Sequence, residues 1–109
     1  MASESELLSR VRNAFKGVRN VDEKRMFGGT AFMVRGNMCV TVRDERMMCR
    51  VGPEQQPAAL KRKGASKVIM NGREYRGFVY VDGAVIGTES ALSSWIEKAL
   101  AFNKTLPKK

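Results

Sequence analysis

The chain has no histidine, and that gap alone removes a broad class of chemistry. No imidazole is present to serve a Ser-His-Asp or Cys-His relay, or to ligate zinc. Its two cysteines, Cys39 and Cys49, are too few for a thiolate zinc site and form no recognisable disulfide framework, which suits a reducing compartment. Long apolar runs are missing as well, so nothing reaches the length of a membrane span. The opening residues, Met1 to Glu6, are acidic where a secretory signal is basic. A cytoplasmic location without a membrane partner is therefore expected. Neither G-x-x-x-x-G-K-[ST] nor G-x-G-x-x-G occurs, and no cofactor is expected.

What is present is one domain's worth of chain: 109 residues, 43% hydrophobic and 28% charged, enough for a single core. Acidic side chains are in short supply. Against 20 Lys and Arg there are 11 Asp and Glu, giving a net charge of +9 and a pI near 10.1. Such a surface attracts polyanions, nucleic acid first among them. The basic residues are scattered along the chain, so charge alone does not separate a nucleic-acid binder from a domain that lysines merely keep solvated.

Between Arg25 and Gly52 lie three runs of β-branched, aromatic and Met residues, cut by the polar dipeptides Gly36-Asn37 and Asp44-Glu45. Breaks of this kind signal consecutive β-hairpins. Taken as two-residue turns, they set Arg35 opposite Met38, Val34 opposite Cys39 and Met33 opposite Val40. Across the second turn Arg43 opposes Arg46, Val42 opposes Met47 and Val40 opposes Cys49. Opposed residues share a face and strand neighbours do not. One face then collects Ala31, Met33, Met38, Val40, Val42, Met47, Cys49 and Val51, and is expected to be core. The other collects Phe32, Val34, Cys39, Thr41, Arg43, Arg46, Met48 and Arg50.

Around this meander the chain reads as follows. Ser3 to Glu6 fits a capping box, and Leu7, Leu8, Val11 and Phe15 recur at helical spacing up to Gly17. Val18 to Glu23 reads as a connection. Lys24 to Phe27 reads as a short strand leading to Gly28-Gly29, a turn, a bulge or a point of close backbone approach. Val51-Gly52-Pro53-Glu54 opens a short helix, delayed by Pro57 to Ala58 and ended by Gly64. Asn71-Gly72 is a strong hairpin dipeptide, followed by a strand through Tyr75, Phe78, Val79, Tyr80 and Val81. Thr88 is placed to cap a last helix with Ala91, Leu92, Trp95, Ile96, Ala99 and Leu100 on one stripe. The residues from Asn103 to Lys109 lack periodicity and are expected to fray, leaving an ordered core of about 4–102. This order predicts a two-layer α+β domain. A mostly antiparallel sheet would carry N-terminal, middle and C-terminal helices on one face, its apolar side buried under Leu7, Val11, Phe15, Leu92, Trp95 and Ile96.

Several segments together are similar to the N-terminal domain of the TfoX/Sxy competence regulators: Met26 to Gly29, Ala31-Phe32-Met33, Gly36-Asn37-Met38 and Arg50 to Glu54. The match continues through Gly72-Arg73, Gly77 to Val81, Leu92, Trp95, Leu100-Ala101-Phe102 and Leu106-Pro107, covering nearly the whole chain in order. The resemblance implies a two-layer α+β domain related to secretion-chaperone-like folds. It further implies a bacterial co-activator that regulates transcription of competence genes for DNA uptake. Regulators of that kind carry a second, C-terminal helical domain, and this sequence stops after the first, as in a single-domain relative. No catalytic residue carries over.

Two kinds of partner fit the second sheet face. Arg43, Arg46 and Arg50, with Phe32, Thr41 and Met48 among them, resemble sheets that hold single strands by stacking and phosphate contacts. That directs the module to nucleic acid, or to a DNA-bound transcription factor. Phe32, Val34 and Met48 beside arginine equally suit a protein interface, a homodimer included. Further basic candidates are Arg10, Arg12 and Lys16 on the first helix and Lys61, Arg62 and Lys63 at the end of the middle one, although solvated helix ends explain both groups. Catalysis is not expected. Asp44 and Glu45 are adjacent turn residues, and Tyr75 and Tyr80 have no identifiable base.

Overall fold

The computed structural model describes residues 6–26, 28–43 and 46–107. In order these form α1 (Glu6–Ala14), β1 (Val21–Met26), β2 (Gly29–Val34), β3 (Asn37–Arg43), β4 (Arg46–Arg50), α2 (Gln56–Leu60), β5 (Ala65–Met70), β6 (Arg73–Asp82), a 3-10 turn (Gly83–Val85) and α3 (Glu89–Asn103). The strands make one sheet in the order β1-β2-β3-β4-β6-β5, with every pair antiparallel. Leu7, Val11, Ala59, Leu92, Trp95 and Ile96 from the three helices bury in one cluster with Val40, Val42, Met47, Cys49, Val79 and Val81 of the sheet. This is the two-layer α+β arrangement that the element order predicts. None of the described helices is long and apolar enough to cross a membrane.

The β3–β4 register is the predicted one: Arg43 opposes Arg46, Val42 opposes Met47, Thr41 opposes Met48 and Val40 opposes Cys49. The Asp44-Glu45 turn lies outside the described residues, as do Ser3 of the capping box and Phe27. The β2–β3 hairpin corrects the sequence reading. Its turn is Arg35-Gly36, with φ of 56° and 82°, so that Val34 opposes Asn37 and Phe32 opposes Val40. A slip of one residue exchanges the faces of a strand. Phe32 and Val34 therefore enter the core cluster, and Ala31 and Met33 turn to the other side. A register irregularity leaves Cys39 unopposed and pairs Met38 with Met33, so Met38 also leaves the core side. Cys39, expected on the outer face, is buried in the cluster instead.

Size explains the correction. Phe32 takes the inward place opposite Val40 that the expected register assigned to Met33, and stacks on Phe15 with ring centroids 5.0 Å apart. Burying an aromatic ring removes ~150–250 Å² from water, worth several kcal/mol at ~25 cal/mol per Å². Holding Arg35 in left-handed backbone costs only ~1–2 kcal/mol. The guanidinium of Arg35 also donates to the carbonyl oxygen of Asn103 at 3.3 Å, satisfying a group at the C-terminus of α3.

The element ends carry the remaining differences. β1 starts at Val21 and includes half of the expected connection; its exposed residues Asp22 to Arg25 show no apolar alternation, because an edge strand needs only one main-chain ladder. Gly28 turns with φ 75°, and a Cβ on Gly29 would overlap the carbonyl oxygen of Val42, so the pair is both a turn and a close approach. α2 begins at Gln56 rather than Ala58, because Pro57 lies in the first turn, where its missing N–H is not needed. Thr88 caps α3 as predicted, its Oγ1 accepting from Ala91 N at 3.1 Å. From the last residue of α3 onward, Asn103 Nδ2 donates to Val34 O at 3.0 Å and Pro107 O accepts from Asn37 Nδ2 at 2.9 Å. The segment expected to fray from Asn103 is thus bonded to the β2–β3 hairpin as far as Pro107.

Candidate nucleic-acid interface

The sheet side away from the helices is laid out by register as a small grid. Ala31, Thr41, Met48 and Tyr80 form one row across β2, β3, β4 and β6. Arg43, Arg46 and Asp82 form the row on one side of it, and Arg50 and Phe78 pair on the other. Ala31, Thr41 and Met48 are buried although none belongs to the core cluster. The long arginines flanking the row are placed to shield it. Thr41 Oγ1 is buried there with no hydrogen-bond partner among the described residues.

Arg43 and Arg46 are exposed and Arg50 is half-buried. The guanidinium carbon of Arg46 stands 3.9 Å from the centroid of the Tyr80 ring. That of Arg50 lies 5.4 Å from Phe78 and 5.5 Å from Phe102. Arg43 lies along Gly28, its Cζ 3.4 Å from where a Cβ would be. Among the described residues no carboxylate pairs with any of the three. Asp82, directly opposite Arg46, is committed to the backbone, accepting from Ala84 N at 2.9 Å. A cation on an exposed ring is held by ~0.5–1 kcal/mol, enough to orient it and little enough to release it to an anion. The face therefore presents three arginines, none ion-paired among the described residues, next to aromatic surface, with the Asp82 carboxylate opposite Arg46.

A profile of the TfoX N-terminal domain matches residues 13–103, from the end of α1 through the last residue of α3. The chain belongs to the TfoX N-terminal domain family. No curated protein and no solved structure matches it. The TfoX N-terminal domain is a regulatory family, and membership in it is consistent with a regulatory module.

Within this TfoX N-terminal domain the predicted site residues separate. Arg43, Arg46, Arg50, Thr41 and Met48 come together on the outer face. Phe32 does not: it is in the core, against Phe15. The aromatics beside the arginines are Phe78 and Tyr80, which the sequence reading placed on a strand but not at the site. Their signal was the alternation Phe78-Val79-Tyr80-Val81, with both valines buried in the core cluster and both rings half-buried on the reverse side.

The secondary basic candidates are spread over other surfaces. Arg10 pairs with Glu89 at 3.0 Å and donates to Thr88 O, joining α1 to the start of α3. Arg12 donates to both carboxylate oxygens of Glu23, at 2.8 and 2.9 Å. Arg62 stands 4.8 Å from the Trp95 ring and donates to Ser94 Oγ at 3.2 Å. Lys16, Lys61 and Lys63 are exposed. The cysteines offer little nucleophilicity: burial pushes the Cys39 thiol up to about 12, and burial with the neighbouring Cys39 raises that of Cys49. No group of three or more metal-ligating side chains occurs among the described residues.

Proposed function

We propose that this TfoX N-terminal domain is a non-catalytic regulatory module that contacts nucleic acid, or a protein already bound to it, through Arg43, Arg46 and Arg50. One observation carries the reading: three arginines share an open sheet face, and among the described residues none has an ion pair. Like charges set side by side repel, and Arg43 directly opposes Arg46. A polyanion relieves that repulsion, and the net charge of +9 draws it in from a distance. The role is transcriptional control of the kind exerted by the competence regulators that the sequence resembles.

Met33 and Met38, half-buried on the same side, favour a second reading. Adaptable thioether side chains beside arginine suit a protein partner or a second copy of the chain. Titrating labelled mixed-sequence oligonucleotides at two salt concentrations separates the readings. Nucleic-acid binding through this face weakens with salt by a log–log slope of about −0.7 to −0.9 per phosphate contacted and collapses in the Arg43→Glu/Arg46→Glu variant, with the melting temperature kept. Absence of binding, with a stable oligomer on sizing, transfers the face to the protein reading.

A further inference from the structure

We infer that the nucleic acid this face takes is single-stranded, its bases stacking on Tyr80 and Phe78 while its phosphates meet the arginines of β3 and β4. The inference rests on the nucleic-acid reading above and adds the form of the ligand and the residues that select it.

The cations and the rings run in parallel lines on adjacent strands. Arg46 and Arg50 are four residues apart on β4, ~13 Å at ~3.3 Å per residue, and Arg43 lies across from Arg46 on β3. Phe78 and Tyr80 are two residues apart on β6, ~7 Å, and oppose Arg50 and Met48. An extended strand laid along the sheet can keep its backbone over one line and turn its bases onto the other. A duplex cannot do so, because its bases are already paired and stacked. Duplex readers usually send a helix or a two-stranded ribbon into a major groove ~12 Å wide. Here the three helices bury their apolar sides against the opposite face of the sheet.

The ring of Tyr80 is open to a planar partner. Its π-face already carries the Arg46 guanidinium at 3.9 Å, so the ring is not closed edge-on into the core. A base can take that position while Arg46 swings to the adjoining phosphate, exchanging a weak cation–π contact for a charge-assisted one. Phe78 repeats the arrangement more loosely, with Arg50 at 5.4 Å. Stacking of this kind accepts every base, which predicts weak sequence preference.

The test uses fluorescein-labelled 20-mers of mixed sequence, as single-stranded DNA, as RNA of the same sequence and as the annealed DNA duplex, read by anisotropy. Single strands should bind at least about tenfold tighter than the duplex. Tyr80→Leu, which keeps bulk and removes the ring, should weaken single-strand binding by about 5- to 150-fold with the salt slope unchanged, and Tyr80→Phe should keep the affinity. Phe78→Leu is the second variant if Tyr80→Leu melts early. A duplex bound as tightly as the single strand overturns the inference, and so does Phe78→Leu with Tyr80→Leu at wild-type affinity. Either result leaves the arginine face standing if Arg43→Glu/Arg46→Glu still abolishes binding. No binding to any oligonucleotide overturns the reading beneath it as well. Tighter binding of RNA than DNA, or the reverse, identifies which single strand the face takes.

Discussion

Replacing Gly29 by alanine tests the corrected β2–β3 register directly. A Cβ there would overlap the Val42 carbonyl oxygen and lie 3.0 Å from the Val42 carbonyl carbon and 3.1 Å from Arg43 Cβ. Two of those atoms are backbone, so no side-chain rotation relieves the overlap and the hairpin must open around the Thr30–Val42 pair. Opening weakens ladder hydrogen bonds worth ~0.5–1.5 kcal/mol each and loosens the packing of Val42 and Phe32. The combined cost is ~3 kcal/mol or more, in the tail of single-substitution effects. Two other glycines separate the contributions. Gly72 has φ 75° and nothing within 4 Å of its absent Cβ, so Gly72→Ala should cost ~1–2 kcal/mol from left-handed backbone alone. Gly87 has neither problem, and Gly87→Ala should be neutral or stabilise by ~0.4–1 kcal/mol. Urea unfolding should rank the variants Gly87→Ala, Gly72→Ala, Gly29→Ala in falling stability, with ~4–8 °C of melting temperature per kcal/mol. A Gly29→Ala variant as stable as Gly87→Ala refutes the close approach, and with it the pairing that sends Phe32 inward.

Three further outcomes are expected. Trp95, at 2% exposure the anchor of α3 in the core, should cost ~3–5 kcal/mol when changed to Ala; melting within a degree or two of wild type would show that α3 does not pack on the sheet this way. Cys39 and Cys49 should both resist a thiol reagent under native conditions and react together on unfolding, since both are buried and protonated at neutral pH; selective fast labelling of Cys39 would return it to the outer face. The Arg12 hydrogen bonds hold the Glu23 carboxyl below its ordinary range, so their contribution is present above the unfolded pKa and lost as pH falls through the folded one. Both side chains are more than a third exposed, which limits the effect to ~1 kcal/mol. Wild type should therefore lose up to that much more stability than Glu23→Gln between about pH 7 and about pH 3, and equal losses would remove the bridge from the account.

The parts of the fold that were legible in the sequence had a chemical contrast where it decided the pairing or the face. Next to Asp44-Glu45, Val40-Thr41-Val42-Arg43 on β3 alternates and Arg46 and Arg50 flank Met47 to Cys49 on β4, so only one register kept Val42 and Met47 together and set Arg43 against Arg46. The stripe from Ala91 to Leu100, capped by Thr88, left no choice of face for α3. β2 gave no such contrast: Ala31 and Met33 are as apolar as Phe32 and Val34, so the pattern admits both registers and only the volume of the core decides. Turn propensity favoured Gly36-Asn37 and lost to the burial of Phe32. The unopposed Cys39 has no local signature. Strand order is not encoded locally either. That β6 lies beside β4 is a consequence of the β4-α2-β5-β6 excursion, and without it Phe78 and Tyr80 cannot be set next to Arg50 and Met48.

The outer face and the helical layer meet at Arg50, and this changes what its charge can mean. Arg43 and Arg46 are exposed and make no ion pair among the described residues; Arg46 rests on the Tyr80 ring and Arg43 lies along Gly28, and neither reaches the helical layer. Arg50 is half-buried between Phe78 of the sheet and Phe102 of α3. Phe102 in turn lies against Gly52, where a Cβ would overlap its ring. The end of α3 that carries Phe102 is tied to the β2–β3 hairpin by Asn103 and Arg35. Arg50 is thus held by the same contacts that fix the last turn of α3, and reversing its charge would disturb packing as well as binding. Of the three arginines, Arg43 and Arg46 are the pair whose reversal reads out binding without the fold, and Arg50 ties the orientation of the face to the helices behind it.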